Sequence, residues 1–326
     1  MPEMRAAVLT GYGGAERLEI RQVSRPAPGS GEILVRVRAA GVNPIDWKIR
    51  QGRLRLLLPA RFPLVLGFDI AGEVAAIGPE VTDFEPGDPV YAMLDSRHGG
   101  GYAEYAVAGQ AAVASKPESL TFEEAAAVPV AALTALQALR DVAGLQAGQR
   151  VAVTGAAGGV GHFAVQLAAA SGAHVTAVAG PDHQEFVRHL GADRAVDYSR
   201  DDFTNLGDTS SSYDVIFDAA GAYRFTACEP ALEPGGIYVT TRPGPVIFLA
   251  QVRAGLARLL DPRGARRAAS LRARPSGDDL AHLAHQIDAG RLRPAIDRVY
   301  ALDEVREAHA ASQAGHPRGK IVLRID

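Results

Sequence analysis

A glycine-rich turn is the stretch of this sequence best suited to chemistry. Its spacing, Ala156-x-Gly158-x-x-Gly161, lets the backbone approach a pyrophosphate at Gly158 and lets a helix pack close to a strand at Gly161. Free N–H groups at the helix N-terminus then favour the phosphates. The first glycine of the usual pattern is Ala156, and a turn that binds no nucleotide is the competing interpretation. The predicted cofactor contacts here are Gly155, Ala156, Ala157, Gly158, Gly159, Val160 and Gly161.

The elements around the turn support nucleotide binding, because strand, glycine turn and helix form the required context. The β-branched run Val151–Thr154 predicts a buried parallel strand, and an apolar period predicts a helix over 160–171. A second strand follows at His174–Ala179, and a second helix is predicted over 182–190. The sequence therefore predicts two successive βαβ steps.

The end of the second strand bears on the choice of cofactor. Enzymes that use NAD place an acid there to bind the ribose 2′-hydroxyl. This strand ends in Ala179 and Gly180, which leaves room for a 2′-phosphate, although Asp182 lies two residues on and Arg188 is distant from His183. The sequence favours NADP(H), with Gly180 and His183 as predicted contacts.

Composition limits the class of protein. The chain has 326 residues, 47% hydrophobic and 22% charged, with a net charge of −3, so neither nucleic acid nor a membrane is expected as a partner. A single cysteine, Cys228, excludes an internal disulfide and a cysteine-rich zinc site. We find no signal-peptide core and no apolar run of roughly 18 residues, so a cytoplasmic location is expected.

The pattern of predicted secondary structure changes along the chain. Short alternating strands up to about residue 122 suggest a barrel-like β domain. Thr121 and Glu124 form a capping-box pattern before an Ala-rich helix over 123–142, which Pro129 interrupts. Strands and helices then alternate, which predicts a parallel doubly wound sheet. Its strands are predicted at Val151–Thr154, His174–Ala179, Arg194–Asp197, Val215–Asp218 and Ile237–Thr241.

The pattern of predicted elements changes again in the C-terminal part of the chain. An amphipathic segment is predicted over 246–260, and a last strand over 268–274. The remaining predicted elements are helices over 278–287 and 303–314 and strands over 298–302 and 321–325.

Several stretches together resemble the medium-chain dehydrogenase/reductase superfamily, and its zinc-independent quinone oxidoreductase and enone (alkenal) reductase branch in particular. They occur in family order and span nearly the whole chain. The stretches are Ala39–Gly52 (AAGVNPIDWKIRQG), Leu66–Val74 (LGFDIAGEV), Gly100–Ala106 (GGYAEYA), Ala132–Leu139 (ALTALQAL), the Gly155–Gly161 turn, Leu190–Asp193 (LGAD) and Gly319–Leu323 (GKIVL).

The resemblance implies an α/β fold with two domains. A GroES-like β-barrel domain, residues 1–122 completed by 276–326, would bind substrate, and a Rossmann doubly wound domain, residues 123–275, would bind the dinucleotide. The resemblance also implies a cofactor cleft between the domains and, by analogy with relatives, a homodimer.

One departure from the wider superfamily concerns zinc. Zinc alcohol dehydrogenases carry a cysteine where this chain has Asn43, and Gly-His-Glu where it has Gly67, Phe68 and Asp69. A catalytic zinc needs about three N, S or O protein ligands, and the chain does not supply them at these positions. The expected reaction is therefore hydride transfer to a quinone or to the activated C=C bond of an α,β-unsaturated carbonyl, which needs no metal.

The resemblance also implies which residues act. Asn43 is expected to contact the nicotinamide or ribose, and Lys48 to stabilise the substrate oxyanion or donate a proton, with Tyr102 as a second donor. The competing interpretation places Lys48 and Arg50 on a solvated face, with Asp46 paired to one of them. Further cofactor contacts are expected at Thr134, Tyr198, Ala219, Ala220, Gly221, Thr240, Thr241, Arg242 and Lys320.

Three other interpretations stay open. A nucleotide-binding protein with little catalysis, serving as a structural or interaction partner, would retain the same glycine turn. A zinc alcohol dehydrogenase is disfavoured by Phe68, and a short-chain dehydrogenase by the lack of a Tyr-x-x-x-Lys pair.

Overall fold

A computed structural model describes residues 2–206, 212–242, 248, 251–252, 264–315 and 317–326. The described residues divide into two compact units: those up to Leu133 together with Arg274–Asp326, and those of Thr134–Ala273. Most of the predicted amphipathic segment over 246–260 lies outside the described residues. In the described ranges, no helix has the length and apolar character that crossing a bilayer requires.

The first unit is built from two sheets of short strands. Strand β1 pairs with β2 and β4 in a three-stranded sheet, and a second sheet has the order β15-β16-β3-β5-β6-β8, with β7 also paired to β3. The strands are β1 Glu3–Leu9, β2 Leu18–Ser24, β3 Glu32–Val42, β4 Leu64–Val65, β5 Asp69–Ile77, β6 Pro89–Met93, β7 Tyr105–Gly109, β8 Val113–Ser115, β15 Ile296–Ala301 and β16 Lys320–Arg324.

The C-terminal strand completes the larger sheet of this unit. Strand β16 runs antiparallel to β3, with Val322 opposite Gly41. Apolar side chains of β3, β5 and β16, such as Val35, Ile70 and Leu323, are buried in one continuous core. Burial of this apolar surface stabilises the unit and fixes the register of its strands.

The predicted helix over 123–142 is broken into three pieces. Helix Phe122–Ala126 begins at the predicted capping box, in which the Glu124 amide donates to Thr121 Oγ1 at 3.2 Å. Pro129 starts the next helix, Pro129–Gln137, because its ring fixes φ and removes a donor. A π-helical turn, Ala138–Ala143, follows.

The boundary between the units lies within this helical region. Helix Phe122–Ala126 packs on strands β3, β5 and β16, and the division by contacts falls after Leu133, whereas the sequence placed it after residue 122. The other helices of the first unit are Pro44–Arg50, Gly277–Asp288 and Val305–Ala314.

The second unit is a parallel sheet with the order β11-β10-β9-β12-β13-β14. Its neighbouring strands are all parallel, which confirms the predicted doubly wound sheet. The order reverses between β9 and β12, where ligands bind at the carboxyl ends of such sheets. The strands are β9 Arg150–Thr154, β10 His174–Ala179, β11 Arg194–Asp197, β12 Tyr213–Asp218, β13 Leu232–Thr240 and β14 Arg267–Ser270.

Several local predictions of the second unit need adjustment. The strand predicted at Ile237–Thr241 begins earlier and spans Leu232–Thr240. The strand predicted over 268–274 is shorter, because only Arg267–Ser270 pairs with β13. The helix predicted over 182–190 begins as a 3₁₀ turn and becomes α-helical at Gln184–His189. The helix after the glycine turn spans Gly161–Ala170, and a short helix, Phe225–Cys228, lies between β12 and β13.

Candidate functional site

The glycine turn after β9 has a backbone that only glycine fits at two points. Gly155 has a φ of +62°, and a Cβ there would lie 2.9 Å from the Cβ of Ala220. A Cβ on Gly161 would lie 2.0 Å from the carbonyl oxygen of Gly155. Gly158 is more open, since a Cβ there would lie 3.3 Å from its nearest neighbour, the carbonyl oxygen of Gly155. The turn is therefore held tightly at both ends and has space at Gly158.

The N-terminus of helix Gly161–Ala170 leaves donors available to a phosphate. In the described part of the chain, the amides of Gly159 and Val160 donate to no backbone carbonyl. Ala156 and Ala157 are buried beneath the turn, whereas Gly158, Gly159 and Val160 are half-buried. The residues thus fit a dinucleotide pyrophosphate, with backbone donors rather than charged side chains.

Asp218, at the end of β12, is a buried carboxylate that accepts several hydrogen bonds and was not identified from the sequence. Its carboxylate accepts hydrogen bonds from Thr154 Oγ1 at 2.6 Å and from the Tyr238 hydroxyl at 2.8 Å, which joins the ends of strands β9, β12 and β13. The amides of Ala222 and Tyr223 donate to it as well. Burial, followed by the charge of Asp218, raises the pKa of Tyr238. This carboxylate therefore shapes the loop after β12.

The loops after β12 and β13 bring together the residues predicted to hold the ribose and carboxamide. Arg242 Nη1 donates to the carbonyl of Gly221 at 3.2 Å, and Thr241 Oγ1 donates to the carbonyl of Ala219 at 3.1 Å. Gly221 has a φ of +63°, and a Cβ there would lie 3.0 Å from the Cβ of Arg242. Thr240 is buried and accepts a hydrogen bond from the Arg242 amide. The predicted set is adjacent in space.

The ends of β10 and β11 place Tyr198 over Gly180. A Cβ on Gly180 would lie 3.2 Å from the Tyr198 hydroxyl, and Tyr198 is 54% exposed. Gln184 donates to the carbonyl of Gly180 at 3.1 Å, while His183 is half-buried in the 3₁₀ turn. The exposed Arg200 lies two residues beyond Tyr198. Arg200 pairs with Asp197 at 3.7 Å, so the group that this corner offers to a ligand is the Tyr198 hydroxyl.

In the first unit, helix Pro44–Arg50 begins at a buried carboxylate. Asp46 accepts hydrogen bonds from the Asn43 amide at 2.7 Å and from the Tyr102 hydroxyl at 2.8 Å. Burial raises the pKa of Asp46 to about 7, against the lowering effect of these two donors. Burial also raises the pKa of Tyr102 well above its usual value. The hydroxyl of Tyr102 is thus committed to Asp46, and a direct donor role toward substrate does not fit its full burial.

The Asn43 side chain belongs to a second buried cluster. Its Nδ2 donates to Asp69 Oδ2 at 2.8 Å, and its Oδ1 accepts from Lys320 Nζ at 2.6 Å. Lys320 also pairs with Asp69 Oδ2 at 3.0 Å, and the Val130 amide donates to Asp69 Oδ1 at 2.7 Å. Both polar ends of Asn43 therefore have partners within the first unit, and Lys320 is a buried cation of this cluster rather than an edge-strand charge.

Among the three side chains predicted to act on substrate, Lys48 is the most accessible. It is half-buried on helix Pro44–Arg50, with its ammonium 5.5 Å from the centroid of the Trp47 ring. Thr134 is buried in helix Pro129–Gln137. The structure thus places Lys48 where a ligand could reach it.

The donor set around Asn43 does not fit a zinc ion. Asn43 and Asp69 share the Lys320 ammonium, and Phe68 packs in the apolar core. Across the described residues, no three His, Cys, Asp or Glu side chains lie close enough together to hold a metal ion. Cys228 lies in the second unit, where burial raises the pKa of its thiol to about 12.

His309 is a further buried group that the sequence did not point to. Its ring meets the Tyr102 ring edge-on at 5.7 Å, and neither ring nitrogen has a hydrogen-bond partner among the described residues. Burial and the nearby Arg50 lower the pKa of His309 to about 3. The available signal was its place beside Ala308 on the buried face of helix Val305–Ala314.

Two family models match the chain. One is described as the alcohol dehydrogenase GroES-like domain and matches residues 29–118, and the other as zinc-binding dehydrogenase and matches residues 190–323. Together they reach into both units.

Whole-length relatives give the same result. The chain is 38% identical to a chloroplast envelope quinone oxidoreductase homolog of Arabidopsis thaliana, over 98% of both chains. It is 32% identical to an NADPH-dependent alkenal/one oxidoreductase of the same plant, over 98% of this chain and 79% of the relative. A quinone oxidoreductase structure from Coxiella burnetii superposes with a TM-score of 0.88 at 31% identity, covering all of both chains.

Proposed function

Because this chain belongs to the medium-chain dehydrogenase/reductase superfamily and is an oxidoreductase that uses a nicotinamide cofactor, we propose that it is an NADPH-dependent reductase of quinones or enones that works without a metal. Two relatives carry names for such substrates, a quinone in one case and an alkenal or enone in the other.

The observation that carries this proposal is the contact of Lys320 with both Asn43 and Asp69. Asn43 stands where zinc alcohol dehydrogenases carry a cysteine, and Asp69 stands where they carry the glutamate of Gly-His-Glu. Here the buried ammonium of Lys320 lies 2.6 Å from Asn43 Oδ1 and 3.0 Å from Asp69 Oδ2. A cation that already neutralises Asp69 leaves a divalent metal without its carboxylate ligand. Reactions that need no Lewis acid are therefore favoured, and reduction of a quinone or of an activated C=C bond is of this kind.

The proposed preference for NADPH comes from the corner formed by Gly180 and Tyr198. No acid ends strand β10, so nothing there selects the ribose 2′-hydroxyl of NAD. Tyr198 presents its hydroxyl at this corner, and a hydroxyl can donate to a 2′-phosphate. Arg200, two residues on in the sequence, lies 3.7 Å from Asp197 in an ion pair, and its exposed guanidinium would have to exchange this partner for the phosphate.

The residues would divide the work as follows. Bound NADPH supplies a hydride. The amides at Gly159 and Val160 would hold its pyrophosphate, and Lys48 would place its ammonium near the negative charge that develops on the substrate oxygen. Asp46 and Tyr102 are not in reach of solvent and would orient the helix that carries Lys48.

A nucleotide-binding protein with little catalysis is the second candidate, because it would retain the same glycine turn. Substrate-dependent oxidation of NADPH separates the two. The test uses purified protein with NADPH or NADH against a 1,4-quinone, an α,β-unsaturated ketone, an alkenal and a simple aldehyde. We expect turnover of a quinone or enone, faster with NADPH, and unchanged after dialysis against a chelator.

The role of Lys48 is tested in the same assay. Lys48→Met is expected to lower kcat by about 10²-fold if the ammonium stabilises charge in the transition state, while Arg36→Gln, an exposed cation on strand β3, is a matched control with unchanged rates. Cofactor binding without turnover of any substrate, or full activity of Lys48→Met, would count against the assigned chemistry.

A further inference from the structure

A short loop directly after helix Pro44–Arg50 exposes two leucines to solvent. The loop, residues 53–61 with the sequence RLRLLLPAR, is called the Leu-Arg loop below. Leu56 is 92% exposed and Leu57 is 74% exposed, which are the highest values among the large apolar side chains that the structure describes. Two neighbouring leucines in water lose the free energy that burial would provide.

Other residues of the loop and its neighbours hold it against the first unit, so Leu56 and Leu57 are exposed in a well-defined conformation. Leu54, Leu58 and Phe62 pack against the core of the first unit. The Ala60 amide donates to the Tyr12 hydroxyl at 3.1 Å, and the Tyr12 ring meets the Phe62 ring edge-on at 4.8 Å.

The backbone of the loop is closed by local hydrogen bonds. The Leu57 and Leu58 amides donate to the Leu54 carbonyl at 2.9 and 2.7 Å. Gly52, with a φ of +71°, turns the chain out of the preceding helix, a conformation that favours glycine. The loop therefore presents Leu56 and Leu57 at the outside of a tight turn.

The charge of this region is opposite to that of the whole chain. Between Trp47 and Phe68 there is no Asp or Glu, whereas the stretch carries five basic residues in a chain of net charge −3. These basic residues are Lys48, Arg50, Arg53, Arg55 and Arg61; Arg50 is buried, and the three that follow it are exposed.

The three arginines of the loop are exposed and available. In the described part of the chain, Arg53, Arg55 and Arg61 form no ion pair with a carboxylate. Arg53 lies 5.4 Å from the centroid of the Trp47 ring, which holds it beside the helix. Exposed leucines flanked by unpaired arginines suit an anionic lipid surface, because apolar side chains enter the acyl boundary while guanidinium groups remain at the phosphates.

We propose that the Leu-Arg loop docks this protein on anionic lipid bilayers, with Leu56 and Leu57 inserted and Arg53, Arg55 and Arg61 at the headgroups. The expectation of no membrane partner came from the net charge of the whole chain, whereas this proposal rests on a local cluster of the opposite sign. Because helix Pro44–Arg50 precedes the loop, docking would hold Lys48 close to lipid-dissolved molecules. The surface stands independently of the proposed reaction.

Flotation of the full chain with lipid vesicles tests the proposal. Vesicles of phosphatidylcholine mixed with phosphatidylglycerol are compared with vesicles of phosphatidylcholine alone, at low and high salt. We expect binding to the anionic vesicles, and release by salt because the headgroup contacts are screened. Leu56→Gln/Leu57→Gln is expected to weaken binding about tenfold or more, and Arg53→Gln/Arg55→Gln/Arg61→Gln about a hundredfold.

Matched controls come from other faces of the first unit. Ile77→Gln/Val299→Gln replaces apolar residues that are 37% and 39% exposed, and Arg36→Gln/Arg291→Gln/Arg324→Gln removes three exposed charges; both are expected to bind like the parent protein. Circular dichroism checks that each variant is folded.

Three results would overturn the proposal. The first is that the protein binds neutral and anionic vesicles equally, or binds neither. The second is full binding by Leu56→Gln/Leu57→Gln, and the third is that this variant changes the oligomeric state measured by sedimentation velocity. The last result would assign the surface to a second copy of the chain. None of these readouts depends on NADPH oxidation, so failure here and failure of the proposed function are distinguishable.

Discussion

The hydroxyl of Tyr102 donates a hydrogen bond to Oδ2 of Asp46 at 2.8 Å, and both side chains are fully buried. The second carboxylate oxygen of Asp46 has no partner among the described residues. Besides burial, Asp69 on β5 raises the pKa of this carboxyl and Lys320 on β16 lowers it. A buried carboxyl with one unpaired oxygen is easily protonated, so the stability of the first unit depends on pH through Asp46.

We expect Asp46 to make the protein less stable as pH rises from about 4 to 7. Burial raises the folded-state pKa of Asp46 to about 7. Over this range the unfolded chain has released the proton while the folded chain still holds it, so the free energy of unfolding falls with pH, by up to about 1.4 kcal/mol for each pKa unit. Asp46→Asn removes this penalty and gains stability relative to the parent across the same window.

Urea unfolding at a series of pH values measures this effect. The single tryptophan, Trp47, lies on helix Pro44–Arg50, so its fluorescence reports on the first unit. Tyr102→Phe is the companion variant: it removes a hydrogen bond that lowers the pKa of Asp46, and the window should extend to higher pH. A stability difference between Asp46→Asn and the parent that does not change with pH would contradict the assignment.

His309 is expected to produce the opposite slope. Burial lowers its folded-state pKa to about 3. As pH falls below about 6.5, His309 therefore becomes protonated in the unfolded chain while it stays neutral in the folded chain. Stability is then lost toward acid. His309→Phe keeps an aromatic ring edge-on to Tyr102 and abolishes this loss, so its advantage over the parent grows as pH falls.

The same Trp47 fluorescence assay checks this. His309→Asn serves as the control, because it also cannot titrate but buries an amide without partners. It should show the same altered slope at lower overall stability. If the parent and His309→Phe lose stability equally toward acid, His309 is not the responsible group.

The sequence predicted the second unit better than the site in the first. Strand His174–Ala179 has the bounds predicted from its apolar run, because a buried parallel strand carries its signal locally. The edge strand Arg194–Asp197 also has its predicted bounds, although only Val196 is buried. The Lys320 contact with Asn43 joins residues 277 positions apart, and no local pattern encodes such a pairing. The resemblance identified both residues. Only the structure shows that they contact each other, and that the Asn43 side-chain oxygen is thereby hydrogen-bonded to Lys320.

Lys320 is expected to be essential for the stability of the first unit. Lys320→Met leaves Asp69 as a buried carboxylate without its cation, which should cost about 3–5 kcal/mol. Lys320→Met/Asp69→Asn should recover part of the loss, because the charge is then absent as well. Arg324→Gln, an exposed cation on the same strand, should change stability by less than about 0.5 kcal/mol. Unfolding followed by Trp47 fluorescence gives all three values, and a parent-like Lys320→Met would refute the coupling.

Two glycines of the turn after β9 are expected to respond differently to alanine. A Cβ at Gly161 would lie 2.0 Å from the Gly155 carbonyl oxygen, so Gly161→Ala must displace the helix from the strand and should reduce both stability and nucleotide binding. At Gly158 the same oxygen would lie at 3.3 Å, so Gly158→Ala should remain folded. Its methyl group would stand where the pyrophosphate approaches, and the affinity for NADPH should fall about tenfold or more.

Titration of NADPH fluorescence against each variant measures the affinities, and circular dichroism melting measures the stabilities. Gly148→Ala is a control away from the turn: a Cβ there meets no atom within 4 Å, and because Gly148, unlike Gly158 and Gly161, has a positive φ, any effect on its stability comes from backbone strain. Gly158→Ala binding NADPH as tightly as the parent would place the pyrophosphate elsewhere. Weak binding by a stably folded Gly158→Ala, together with parent-like binding by Gly148→Ala, would place the phosphates against this turn.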